Sequence, residues 1–257
     1  MSPVTLSYVR RGRARAPVLV LAGSLGTTAA MWEPQLTALS DDFDLIAIDH
    51  RGHGSSPVPE GPYEIADLGR DVVALLDTLG LERVAYCGLS IGGMVGQWLA
   101  AHVPERIEAT VLICTAARAP APEVYLERAA TVRGPAGPGG VAGAVVQRWF
   151  TPDWARAHPE LVARHRAMIA ATPAAGYAGC CEAIAAMDLR EDLAAIVAPT
   201  LVVAGAQDAA LPPEHGRAIA EAVAGARFEL LDPAAHLASV ERAHEVTALI
   251  HDHLGGS

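Results

Sequence analysis

Two hydrophobic rhythms alternate along this chain. Val4 to Val9 alternates apolar and polar positions as a strand with one wet face does, and Gly12 to Pro17 turns the chain back. Short apolar stretches then recur at Val18 to Ala22, Asp44 to Ile48, Val84 to Tyr86, Ala109 to Cys114, Thr200 to Gly205 and Arg227 to Leu231, each suited to a sheet. Between them lie segments with the longer helical period. Ala29 to Leu39 sets Met31, Trp32, Leu36 and Leu39 on one face; Ile65 to Leu79 does the same with Leu68, Val72, Leu75, Leu76 and Leu79 and stops at Gly80. Val95 to His102, the stretch from Pro212 and Pro213 to about Val223, and Arg242 to Leu254 complete the set. Strand and helix in alternation predict an α/β fold, with a mostly parallel central sheet and helices on both faces.

The alternation lapses between Arg118 and about Asp192. No strand-like run occurs there, Gly134 to Gly143 is glycine-rich with two prolines, and Val145 to Phe150, Leu161 to Ala171 and Tyr177 to Met187 have a helical pattern. An all-helical insertion between two strands predicts a helical cap over residues 118–192. The core is then made of residues 1–117 and 193–257.

Composition narrows the function classes. The chain has 257 residues, 51% of them hydrophobic, and a formal net charge of -10, with no lysine. An acidic chain without an arginine cluster lacks the footprint needed to hold nucleic acid. No apolar run approaches the length that spans a bilayer, and the first residues do not have the basic-then-apolar order of a secretory leader, so the expectation is a soluble cytoplasmic protein. Cys87, Cys114, Cys180 and Cys181 are not at zinc-ligand spacing, which predicts reduced thiols and no metal site. The expected partner is a small molecule, and no cofactor is implied; the oligomeric state is not specified.

Chemistry concentrates in Cys87-Gly88-Leu89-Ser90-Ile91-Gly92-Gly93-Met94. Gly-x-Ser-x-Gly between a buried strand and a helix places the serine on a sharp turn, where side chains at the flanking glycines would collide with neighbouring backbone. The Ile91 N–H then opens a helix, where unpaired amides and the positive end of the dipole favour a developing oxyanion. A second donor is expected from the loop Gly23-Ser24-Leu25-Gly26-Thr27-Thr28, with the Leu25 N–H as candidate and an ordinary strand-to-helix connection as the alternative. A serine hydroxyl needs a base, and the base needs an acid to orient it. Of ten histidines, His236 follows the last strand, whereas most others fall on or beside helices. Asp208 follows the preceding strand, so Ser90, Asp208 and His236 each stand just past a strand's C-terminal end, in the chain order of this nucleophile-elbow architecture. His50 and His53 belong to Asp49-His50-Arg51-Gly52-His53-Gly54, a polar glycine-rich turn expected to hold itself by side-chain-to-backbone hydrogen bonds.

These motifs make the chain resemble an α/β-hydrolase and, within that superfamily, the bacterial 3-oxoadipate enol-lactonases. The likeness runs from about Leu21 to Val240. It is carried by Ser24-Leu25-Gly26-Thr27, by the Asp49 turn and the Ser90 elbow, by Thr115-Ala116-Ala117-Arg118, and by the cap stretches Arg148-Trp149-Phe150-Thr151, Ala171-Thr172-Pro173 and Gly176-Tyr177-Ala178-Gly179-Cys180-Cys181. Gly23 stands where these enzymes often have asparagine. The resemblance implies hydrolysis of 3-oxoadipate enol-lactone by Ser90, His236 and Asp208. It also implies a positive group for the substrate carboxylate, for which Arg118 and Arg133 are the candidates, and an apolar wall at Trp149. The rival expectations are a carboxylesterase or cofactor-free perhydrolase with the same triad, and a ligand receptor on the same fold.

Overall fold

The structure, a computed structural model, describes residues 1–255. Among these, seven strands, β1 (Tyr8–Gly12), β2 (Val18–Ala22), β3 (Asp44–Ile48), β4 (Val84–Leu89), β5 (Ile107–Ile113), β6 (Thr200–Gly205) and β7 (Arg227–Leu231), form one sheet in the order β1-β3-β2-β4-β5-β6-β7. Only the β1 and β3 pair is antiparallel. β3, β4 and β6 are buried at every residue, which requires helices on both faces and explains why these strands read as unbroken apolar runs.

The core helices are α1 (Glu33–Ala38), α2 (Ile65–Leu79) and α3 (Ile91–His102). Between β5 and β6 come α4 (Pro122–Val132), α5 (Gly139–Val146), α6 (Pro152–Ala157), α7 (Pro159–Ala171) and α8 (Ala174–Ala186), after which α9 (Pro213–Ala222), α10 (Ala238–Glu241) and α11 (Ala243–Gly255) finish the chain. α2 packs on α3, α3 lies on β4 and β5, and α1 packs on α11. Within the insertion α4 runs along α8 and α5 along α7. No helix among the described residues is long and apolar enough to cross a membrane.

Three departures from the sequence expectation have physical causes. The first strand begins at Tyr8 rather than Val4, because the Val4 and Ser7 amides are taken by the Asp71 carboxylate and the Ser56 hydroxyl instead of a ladder. Ala29 to Leu39 is not one helix. Pro34 has no N–H to continue the turns, so a 3-10 segment over Ala29–Trp32, capped by Thr28, gives way to α1. In the insertion, α5 begins inside the glycine-rich run at Gly139, where Ala142, Val145 and Val146 are buried and packing on α7 outweighs glycine's poor helix propensity.

Candidate active site

Ser90 is the residue between β4 and α3, with φ 59 and ψ -118, a conformation that costs roughly 1–3 kcal/mol for a side chain with a Cβ. The surroundings hold it there. Its N–H donates to the Ile113 carbonyl at 2.9 Å, and its own carbonyl accepts from Met94 N at 3.0 Å and from the Thr115 hydroxyl at 2.8 Å. The glycines are required by close approach: a Cβ on Gly88 would lie 2.2 Å from the Gly92 oxygen, and one on Gly92 would lie 2.2 Å from the Ala22 oxygen.

The Gly23 to Thr28 loop rests on this elbow, since Gly92 N donates to the Gly23 carbonyl at 3.2 Å. Gly23 suits its place, because a Cβ there would meet the Thr27 hydroxyl at 2.5 Å and Met31 Sδ at 2.6 Å. Within the loop Gly26 N–H donates to His53 and Thr27 N–H to the Ser24 carbonyl at 3.1 Å. The Leu25 and Ile91 amides have no protein acceptor among the described residues, so two unpaired donors flank the serine from adjacent strand ends.

His236 and Asp208 meet beyond β7 and β6. His236 Nδ1 lies 2.8 Å from Asp208 Oδ2, with both side chains almost wholly buried. The other carboxylate oxygen, Oδ1, accepts from Ala210 N at 2.8 Å and Leu211 N at 2.9 Å, which fixes its plane. A carboxylate can only accept here, so Nδ1 carries the proton and Nε2 is left as the imidazole's basic nitrogen. Cys114 sits between the two halves of the site. It directly follows Ile113, which holds Ser90, and its thiol lies 3.7 Å from the carbonyl of Ala235, the neighbour of His236. Burial, with Asp208 adding to it, pushes that thiol far above its ordinary pKa, so it stays protonated.

A feature the sequence did not reveal is Glu241, a buried carboxylate on α10. Its oxygens accept from Ala235 N at 2.9 Å, from Thr151 N at 3.1 Å and from the Thr151 hydroxyl. Leu237 N also donates to the Trp149 carbonyl at 2.9 Å. The residues on both sides of His236 are thereby tied to the segment between α5 and α6. Trp149 is thus beside the histidine loop, buried, with its ring edge-on to His165.

The two candidate arginines are engaged elsewhere. Arg118 is half exposed, 3.9 Å from Asp188, and lines a groove of about 530 Å³ with His215 and Ile219 on α9, none of it formed by Ser90 or His236. Arg133, also half exposed, pairs with Glu182 at 2.6 Å. The Asp49 turn is structural, as expected. Asp49 Oδ1 accepts from Ala29 N at 2.7 Å, and the buried Arg51 makes a two-pronged pair with Asp71 at 2.6 and 2.7 Å.

Comparison with known proteins agrees with this architecture. A family model described as alpha/beta hydrolase fold matches residues 17–243. The chain is 41% identical over 239 residues to 3-oxoadipate enol-lactonase 2 of Acinetobacter baylyi, covering 93% of this chain and 89% of that protein. It is 32% identical over 97% of its length, and 96% of the relative's, to RutD of Stutzerimonas stutzeri, which is provisionally named a carbamate hydrolase. The crystal structure of the enol-lactonase from Burkholderia xenovorans superposes with a TM-score of 0.95 at 44% identity, covering 98% of this chain and 97% of that one. The chain therefore belongs to the α/β-hydrolases and, among them, to the 3-oxoadipate enol-lactonase family of hydrolytic enzymes.

Proposed function

We propose that this hydrolase opens 3-oxoadipate enol-lactone to 3-oxoadipate in the cytoplasm, with Ser90 as nucleophile, His236 as base and acid, and Asp208 as the group that orients His236. The observation that carries the catalytic reading is the Asp208–His236 hydrogen bond, which leaves Nε2 as the one nitrogen able to take a proton. The identity to named enol-lactonases supports the substrate. Four buried cysteines, none in a disulfide, agree with a reducing compartment.

Ser90 Oγ adds to the lactone carbonyl while Nε2 accepts its proton, and the carbonyl oxygen becomes an oxyanion held by the Leu25 and Ile91 amides. Each such donor is worth about 3 kcal/mol in the transition state. The carbonyl carbon to ring oxygen bond then breaks, and the imidazolium returns the proton to the departing enol oxygen. An enol leaves more readily than an alkoxide. The acyl group and the leaving group share one carbon skeleton, so nothing diffuses away at this stage. Water, deprotonated by Nε2, attacks the acyl carbon; when that intermediate collapses, Ser90 regains its proton and the whole product is freed.

The second reading, carbamate or general ester hydrolysis with the same residues, follows from the similarity to RutD. The two separate on kcat/KM for the enol-lactone, a neutral aryl ester and a carbamate of similar size. The lactone reading predicts a preference of at least about 100-fold for the lactone; equal or better turnover of either alternative refutes it.

A further inference from the structure

Among the described residues, each arginine that is at least partly covered has a carboxylate partner, with one exception. Arg11 pairs with Glu33, Arg51 with Asp71, Arg70 with Asp67, Arg106 with Asp77 and Arg242 with Glu245. Arg128, in the middle of α4, is partly buried and forms no salt bridge. A sheltered guanidinium without a counter-ion is disfavoured unless something else supplies the negative charge.

Its surroundings place it on the active-site side of the insertion. The guanidinium lies over the Tyr125 ring, 5.3 Å from the centroid, and burial raises the pKa of the Tyr125 hydroxyl. On the other side α4 packs along α8, which carries Tyr177. The Tyr177 ring reaches the Gly23 to Thr28 loop, since a Cβ on Gly26 would fall 3.0 Å from its Cε2. The Tyr177 hydroxyl is buried and makes no hydrogen bond of good geometry, while burial raises its pKa and Arg128, close enough to act both by charge and by hydrogen bonding, opposes that rise. A cation without a carboxylate and a hydroxyl without an acceptor therefore stand together beside the oxyanion loop. Neither Arg118 nor Arg133 shares these properties, both being exposed and already paired.

We infer that Arg128, with the Tyr177 hydroxyl as second donor, receives the carboxylate of the substrate and so selects anionic over neutral lactones and esters. The inference rests on the proposed reading that the substrate carries a carboxylate. A guanidinium on a carboxylate completes the sheltered charge and gives two charge-assisted hydrogen bonds in fixed geometry. The carboxylate would thus be bound by cap residues while the carbonyl is bound by the core.

The experiment compares the parent with Arg128→Gln, Arg128→Lys and Tyr177→Phe on three substrates: the enol-lactone, 3-acetoxybenzoate and neutral phenyl acetate. Phenyl acetate turnover reports an intact fold and an intact reacting centre. Arg128→Gln is expected to lose about 100-fold in kcat/KM on the lactone and on 3-acetoxybenzoate, and less than about 2-fold on phenyl acetate. Arg128→Lys is expected to recover part of the loss, and Tyr177→Phe to lose about 10-fold on the two anions only. Equal losses on charged and neutral substrates, or no loss at all, would overturn the assignment. The two levels fail separately. A parent that prefers 3-acetoxybenzoate to phenyl acetate through Arg128 but leaves the lactone untouched refutes the lactone and supports the arginine. Lactone opening as fast in Arg128→Gln as in the parent refutes the arginine and leaves the lactone reading standing.

Discussion

His53 Nε2 accepts the amide hydrogen of Gly26 at 2.8 Å, while its Nδ1 lies 3.2 Å from the Arg51 carbonyl oxygen. An amide can only donate and a carbonyl only accept, so His53 is neutral with its proton on Nδ1. His50 is arranged oppositely: its Nε2 lies 3.2 Å from the Gly23 carbonyl and must donate to it. The two rings pin both ends of the segment that carries Leu25. A histidine pair that invites a metal or catalytic assignment in the sequence thus positions backbone.

If the Leu25 amide is an oxyanion donor, loosening its loop acts on turnover more than on substrate affinity. His53→Ala is expected to lower kcat about 10- to 100-fold with KM changed less than about 3-fold, because one donor is worth about 3 kcal/mol and misplacement forfeits part of it. Steady-state kinetics on any good ester substrate measures this. A loss of stability with unchanged kcat would show that the ring only fills space.

The same pair makes a prediction about acid. Burial, then repulsion from His53, holds His50 down to about pKa 3, and burial lowers His53 as well. An unfolded histidine takes up its proton near pH 6.5. Between that pH and about 3 the unfolded chain binds more protons than the folded one, so the stabilisation is whole above about pH 6.5 and is lost as pH falls. His50→Gln retains an N–H for the Gly23 carbonyl but cannot titrate. Its urea midpoint is expected to drop less than the parent's between pH 7 and pH 4.5; identical slopes for the two proteins would exclude His50 as a contributor.

Glu241 is the third test, because one buried carboxylate serves both Ala235, beside His236, and Thr151, ahead of α6. Glu241→Gln retains one acceptor oxygen and turns an NH2 toward the Ala235 or Thr151 amide, each of which can only donate. A loss of about 1–3 kcal/mol in stability is expected, with a fall in kcat as the His236 loop loosens. Denaturant unfolding together with kinetics checks it. Thr151→Val applied on top of Glu241→Gln should cost less than it does in the parent, and full additivity would mean the two residues do not cooperate.

The fold could be read from local pattern where the spacing of apolar positions was regular. β3 and β6, buried at every residue, have the bounds their apolar runs predict, as do α2, with its one apolar stripe, and β7, a partly exposed edge strand. The insertion was harder. α4 exposes Val124 and Leu126, which blurs its stripe, and α6 is too short to show a period. In the site, strand ends and chain order pointed to Ser90, Asp208 and His236. The roles of Glu241 and Arg128 depend on what lies across from them in three dimensions, and spacing along the chain does not encode that. Arg118 and Arg133 looked equally available in the sequence because their partners, Asp188 and Glu182, are remote in it.

Opening of the enol-lactone by the Ser90→Ala protein is the most direct test of covalent catalysis at the elbow. Removing the hydroxyl leaves the donors and the imidazole in place but no nucleophile, so kcat should fall at least about 10⁴-fold while the protein remains folded. Turnover of the lactone at the parental rate by Ser90→Ala would contradict the account.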